Sequence, residues 1–276
     1  MDTRTWSNRR PLTIVKVGGA VVEDEAQLSQ LLTDFIAIDG PKILVHGGGR
    51  RATKVAAQLG IETKMVDGRR ITDGPMLDVV TMVYGGLVNK HIVARMQALG
   101  ADALGLTGAD AGIILSHRRP PVPSVAVSQQ QPQATIDFGF VGDVDRADGA
   151  KIAAFIDAGL TPVIAPLTHD GHGNMLNTNA DTMASETAKA MAALFDVTLI
   201  FAFEKPGVLT DPDDDNSVIP VITRADFDRY KADGTISGGM LPKIQNALAA
   251  VDAGVSRVII TKATAIDGRQ GTIIRQ

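Results

Sequence analysis

The chain has no cysteine in 276 residues, which removes disulfide scaffolds, thiolate metal sites and cysteine nucleophiles at once. It has no run approaching the ~20 apolar residues that cross a bilayer, and its N-terminus, MDTRTWSNRRP, holds no apolar stretch of signal-peptide length. A soluble, cytosolic protein with no membrane partner is expected. Positive charge is not in excess either, because 27 basic against 31 acidic side chains leave a formal net charge of -4. That balance argues against a general nucleic-acid binder. No Gly-Lys dipeptide occurs, so a Walker A loop is absent, and no G-x-S-x-G elbow presents a serine nucleophile. The histidines His46, His91, His117, His169 and His172 form no metal-ligand spacing. Asp211 and the run Asp213-Asp214-Asp215 lack the glycine and glutamate of a calcium hand. No protein-held metal is expected.

Hydrophobic residues make up 45% of the chain and charged ones 21%, an ordinary globular balance long enough for one large domain or two small ones. Glycine is clustered: Gly18-Gly19, Gly47-Gly48-Gly49, Gly85-Gly86 and Gly238-Gly239 form adjacent runs. The β-branched run at 12–17 reads as a buried strand, followed by an amphipathic helix over 23–38, a strand at 43–46 and a helix over 50–59 that closes at Gly60. Strand, glycine turn and helix, repeated, predict a parallel sheet with right-handed crossovers. Residues 76–99 read as a helix interrupted by Gly85-Gly86 and ended by Gly100. The proline- and glutamine-rich stretch 113–144 reads as a β-hairpin flap on the edge of the sheet. Helices over 151–158, 183–195 and 243–253 alternate with strands at 162–165, 197–203 and 257–261. The expected architecture is a three-layer αβα sandwich around a mainly parallel sheet. It forms one domain over 1–276, with lobes meeting near residue 175.

Several motifs carry possible chemistry. Lys16-Val17-Gly18-Gly19 ends the first strand with a lysine and two glycines, which suits either a phosphate cradle or a tight turn beside a surface lysine. His46-Gly47-Gly48-Gly49 repeats the arrangement. With Ala52, and Asp67 twenty residues beyond Gly47, it imitates a dinucleotide fingerprint and keeps a dehydrogenase among the alternatives. Arg70, in GRRITD, is either a bidentate carboxylate clamp or a solvated arginine. Asn177, Asn179 and Asp181 open a helix and are either functional or simply capping residues. Ser237-Gly238-Gly239, followed by Lys243, suggests a second phosphate site.

Taken together, IVKVGGAV, ILVHGGGR, GRRITD, VNK at 88–90, DFGFVGDV at 137–144, PVIAPL at 162–167, LNTNADTMA at 176–184, PGVL at 206–209 and GGMLPK at 238–243 resemble the amino-acid kinase family, and within it the N-acetylglutamate kinases. The resemblance implies transfer of the ATP γ-phosphoryl group to the side-chain carboxylate of N-acetylglutamate, giving an acyl phosphate in the second step of arginine biosynthesis. By motif position it makes Lys16, Lys243 and Asp181 catalytic. Gly18, Gly19 and Gly239 would then contact ATP phosphates, and Gly48, Gly49, Arg70 and Asn177 the amino acid. It further implies ATP as co-substrate, Mg²⁺ carried by the nucleotide, an acyl-amino-acid lobe over about 12–175, an ATP lobe over about 176–276, and a homodimer. About eleven residues precede the first strand, so arginine feedback through an N-terminal helix is not expected. Phe203-Glu204-Lys205-Pro206 departs from the Thr-Asp pair common there, and the C-terminal stretch is short. An N-succinylglutamate kinase, a kinase of the same fold for another small substrate, and a non-catalytic sensor are the other readings.

Overall fold

The computed structural model describes residues 9–66, 69–123 and 135–276. The chain begins β1 (Pro11–Val17), α1 (Gly19–Glu23), α2 (Glu25–Ile36), β2 (Lys42–His46) and α3 (Gly49–Gln58). A short ribbon, β3 (Met65–Val66) with β4 (Arg69–Arg70), leads to a long helical arm. The arm is α4 (Gly74–Val80), a π-helical segment at Thr81–Val88 and α5 (Asn89–Ala98). Next come β5 (Ala103–Leu106), β6 (Ile114–Arg118), β7 (Val122–Pro123), β8 (Thr135–Ile136), β9 (Gly142–Ala147) and α6 (Gly149–Asp157). Then β10 (Thr161–Ile164), β11 (Leu167–His169) and β12 (Met175–Asn177) precede α7 (Ala180–Ala192) and β13 (Asp196–Phe203). The chain closes with β14 (Val221–Ile222), α8 (Arg224–Ala232), α9 (Met240–Asp252), β15 (Arg257–Lys262) and β16 (Thr272–Ile274).

β1 stands inside an eight-stranded sheet of order β14-β16-β15-β13-β1-β2-β10-β5. Its pairings are parallel except that of β15 with β16. Alternation along β1 sends Leu12 and Ile14 to one face and Val15 and Val17 to the other. Helices α1 to α5 cover the second face through Val21, Phe35, Ala52, Met76 and Ile92, and α6 to α9 cover the first through Ile152, Met183, Phe227 and Ile244. The expected αβα layering is therefore present, with each layer drawn from one half of the chain.

Local chemistry explains the boundaries. Gly60 and Gly100 both take positive φ, and Ile61 N and Ala101 N reach back to Ala56 O and Met96 O, the pattern that closes a helix at a left-handed residue. The helix expected over 23–38 is two helices, broken at Asp24, whose carboxylate accepts from Ala26 N and Gln27 N and starts α2 afresh. The expected hairpin has antiparallel arms in β6 and β9, but its placement needs correction. The arms belong to a second sheet of order β12-β11-β6-β9, because β11 occupies the far side of β6, and β5 forms the edge of the main sheet. Residues 124–134, including Pro132 and the glutamine run, lie outside the described residues, as does Asp67.

Candidate active site

In the sheet order the chain leaves β1 toward β2 on one side and returns as β13 on the other. Such a switch point opens a crevice beyond the carboxyl ends of the strands. A cleft of about 420 Å³ lies there, lined by Lys16, Gly18 and Gly19 after β1, Gly49 and Arg50 after β2, and Asp181, Phe203, Glu204, Met240 and Lys243. The two glycine turns lie back to back. Gly47 N donates to Val17 O at 3.0 Å, and a Cβ added to Gly47 would come within 3.1 Å of Gly19 N. A Cβ on Gly19 would lie 3.6 Å from Gly48 N. A side chain at Gly47 would crowd Gly19, and the two turns lie close enough that anions held by each would be neighbours.

Helix capping follows the same division. Asp24, Asp73, Asp148, Asn179 and Thr223 cap α2, α4, α6, α7 and α8 with side-chain oxygens. Gly18, Gly48 and Gly239, which head α1, α3 and α9, provide no side-chain cap. The orphan N–H groups of α1 and α3 therefore remain for a ligand. Gly239 itself is not among the cleft-lining residues, and α9 reaches the cleft through Met240 and Lys243.

Lys16 occupies a core-facing position of β1 and is 7% exposed. Its Nζ lies 2.7 Å from Asp181 Oδ1, an ion pair set outside hydrogen-bonding angles. Asp181 sits in the first turn of α7, where Asn179 Oδ1 accepts from Asp181 N at 2.8 Å. The alternatives left open by the sequence thus separate, with Asn179 as the cap and Asp181 as the partner of a buried lysine. The Phe203 ring lies under both cations, 3.8 Å from Lys243 Nζ and 4.9 Å from Lys16 Nζ. Burial holds Lys243 below the usual lysine range; Asp181 opposes the shift and Lys16 reinforces it. Lys16 is ion-paired with Asp181 while Lys243 feels Asp181 and Glu204 only at longer range, so two ammonium groups stand in the cleft beside these two carboxylates.

Arg70 is 9% exposed rather than solvated. Its Nη2 donates to Gly49 O and Thr53 Oγ1, both at 2.9 Å, and no carboxylate among the described residues pairs with it. Asn177 Nδ2 donates to Thr72 Oγ1 at 2.9 Å, which sets Asn177 against Thr72, two residues along the chain from Arg70. Gly49 therefore touches both the lysine cleft and Arg70. Sequence reading missed the support beneath them. His46, fully buried, donates from Nδ1 to Gly47 O at 2.8 Å and accepts at Nε2 from Asn89 Nδ2 at 3.1 Å. Burial pushes this imidazole down to about 4, against the Gly47 hydrogen bond, with Lys90 lowering it further. The only signal in the sequence was the pairing of HGGG with VNK, whose asparagine has no amphipathic reason to be buried.

Residues 11–262 match the Amino acid kinase family. A protein of Bacteroides thetaiotaomicron named acetylglutamate kinase is 61% identical over 268 residues, covering 97% of this chain and 100% of the relative. An acetylglutamate kinase of Bacteroides fragilis is 59% identical, covering 97% of this chain and 98% of the relative. Among solved structures, that of smu.665 from Streptococcus mutans UA159 superposes with a TM-score of 0.73 at 26% identity, covering 96% of this chain and 98% of the other. With nearly full-length matches to both a family and its members, the chain belongs to the amino acid kinase family.

Proposed function

We propose that this protein phosphorylates the side-chain carboxylate of N-acetylglutamate with ATP, the second step of arginine biosynthesis, as a cytoplasmic enzyme. The observation that carries the reading is the contact between two uncapped glycine turns, one beside the Lys16–Asp181 pair and the other beside Arg70. Identity of 61% over nearly the whole chain to an acetylglutamate kinase supports this acceptor. A γ-carboxylate with an ordinary pKa of about 4.3 is already ionised at neutral pH, so no general base is needed. What the reaction demands is alignment of two anions and stabilisation of charge on the transferring phosphoryl group.

In this reading Lys16 and Lys243 stabilise the transferring phosphoryl group and Asp181 holds the lysines in place. Gly18, Gly19 and Gly239 offer N–H groups to ATP phosphates. Gly48, Gly49, Arg70 and Asn177 bind the acylated amino acid, so that residues about 12–175 form the amino-acid lobe and about 176–276 the ATP lobe of one domain. Mg²⁺ enters with the nucleotide and supplies further charge neutralisation; Asp181 and Glu204, the two carboxylates lining the cleft, are a sparse set that suits an ion held mainly by phosphates and water. A homodimer completes the reading, with exposed Met82 and Leu87 of the helical arm as apolar surface for a second copy; a monomer by light scattering removes that part.

The deciding experiment traps the acyl phosphate with hydroxylamine in the presence of Mg-ATP. Hydroxamate should form with N-acetylglutamate in preference to N-succinylglutamate, glutamate and aspartate. Silence with every carboxylate would overturn the kinase reading, and preference for another acceptor would reassign the substrate.

A further inference from the structure

The helical arm buries Met76, Val80, Tyr84, Val88, Ile92 and Met96, a strict spacing of four. On an uninterrupted α-helix this row drifts by about 40° per turn and would wind off the core. The wider turns of the π-helical Thr81–Val88 keep it in register. Gly85-Gly86 lies within that segment, and crowding does not require it. A Cβ on Gly85 would make ordinary contact with Leu167, and one on Gly86 would meet nothing within 4 Å. The pair instead supplies backbone that resists the wider turn least, and that turn decides where Tyr84 points.

Tyr84 is 5% exposed. Its ring lies against the substrate-side glycines, so close that a Cβ on Gly48 would fall 2.9 Å from Tyr84 Cδ1. Its hydroxyl would be 3.8 Å from a Cβ on Gly49, and Arg70 Nη2 would be 3.7 Å from the same point. Burial raises the phenol above its usual range while the adjacent Arg70 guanidinium opposes the rise. Arg70 itself cannot present its whole fork. Nη2 is committed to Gly49 O and Thr53 Oγ1, and Nη1 makes longer contacts with Thr63 Oγ1 at 3.3 Å and Met76 Sδ at 4.0 Å. A carboxylate accepts about four hydrogen bonds, so a second donor beside Arg70 has acceptors left to serve.

We propose that Tyr84 is a substrate-binding residue: its hydroxyl donates to the carboxylate that Arg70 holds, and its ring walls the amino-acid pocket over Gly48. The inference rests on the reading of Arg70 as the carboxylate clamp. The plainer role, a tyrosine filling the core, predicts no special effect of its oxygen. Tyr84→Phe keeps the ring and removes only that oxygen. In the full-length enzyme it should raise KM for N-acetylglutamate, and Kd by calorimetry without nucleotide, by about tenfold, leaving kcat and KM for ATP within about twofold. Wild-type KM and Kd would overturn the proposal, as would a loss shared equally by ATP, which marks a packing defect.

Arg70→Lys, measured alongside, separates the two readings. A raised KM there with an unchanged Tyr84→Phe enzyme overturns the tyrosine role alone. An unchanged Arg70→Lys enzyme removes the clamp and overturns the proposal with it, whatever Tyr84→Phe shows. Should Tyr84→Phe fail to fold, ultraviolet difference spectroscopy gives an independent test. The chain has two tyrosines, so a Tyr230→Phe variant leaves Tyr84 as the sole tyrosine chromophore. A tyrosine difference band on adding N-acetylglutamate supports the contact, and its absence overturns it.

Discussion

Lys16 and Lys243 reach the cleft by different routes, one from the buried face of a central strand and the other from the first turn of a late helix. Both stand over the Phe203 ring, and in the proposed reading losing either ammonium removes charge stabilisation while leaving Arg70 and Asn177 in place. Lys16→Ala and Lys243→Ala should each lower kcat by at least about a hundredfold while KM for N-acetylglutamate stays within about threefold. Steady-state kinetics check this, and an unchanged kcat removes that lysine from the mechanism. Because burial holds Lys243 below the usual lysine range, its charge is lost at lower pH than that of a free lysine. The kcat profile should therefore fall on its alkaline side before ordinary lysines titrate, and Lys243→Arg should move that fall to higher pH. The lysines and Arg70 were legible in the sequence because each adjoins glycines or a motif. Tyr84 and His46 were not, since an aromatic or a histidine inside an apolar pattern looks like core until its polar neighbour is located.

At the scale of elements, α7 shows how capping serves the site. Asn179 fixes the first turn through Asp181 N and Thr182 N, and that turn carries the carboxylate facing Lys16. Asn179→Ala should cost about 1 kcal/mol of stability and also reduce kcat, because Asp181 loses its anchoring. Denaturant titration with parallel kinetics tests both parts; a stability loss with unchanged kcat would show that Asp181 holds its position without the cap. Strands and helices with strong periodicity, such as β1, β2, α2 and α3, were readable in advance. β5 and β16 were not, because Ala-Leu-Gly-Leu and Thr-Ile-Ile are too short to announce a strand and are ordered by neighbours already in place. α8 was missed because it buries only Phe227.

For the whole molecule, the sheet divides two cores, and His46 stands on the α5 side of it, bonded to Asn89 of that helix. A histidine depressed to about 4 in the fold and near 6.5 when unfolded leaves the unfolded chain binding more protons between those values. Stability contributed by neutral His46 is therefore present above about pH 6.5 and lost as pH falls toward 4. The expected loss is about 2–3 kcal/mol between pH 7 and pH 4.5. Urea unfolding across that range should show it, and His46→Gln should flatten the slope; an equal slope in the variant would clear His46 as the cause. Taken alone, the amino-acid sequence determined the αβα class, the glycine turns after two strands and the lysine that ends the first of them, because these depend on local periodicity and backbone freedom. Only the tertiary structure decided that the two glycine turns touch, that Asp181 faces Lys16 across 165 positions of chain, and that Tyr84 meets Gly48. Those contacts depend on strand order and on the phase of a helix, which are set by packing between distant segments rather than by any stretch of neighbours.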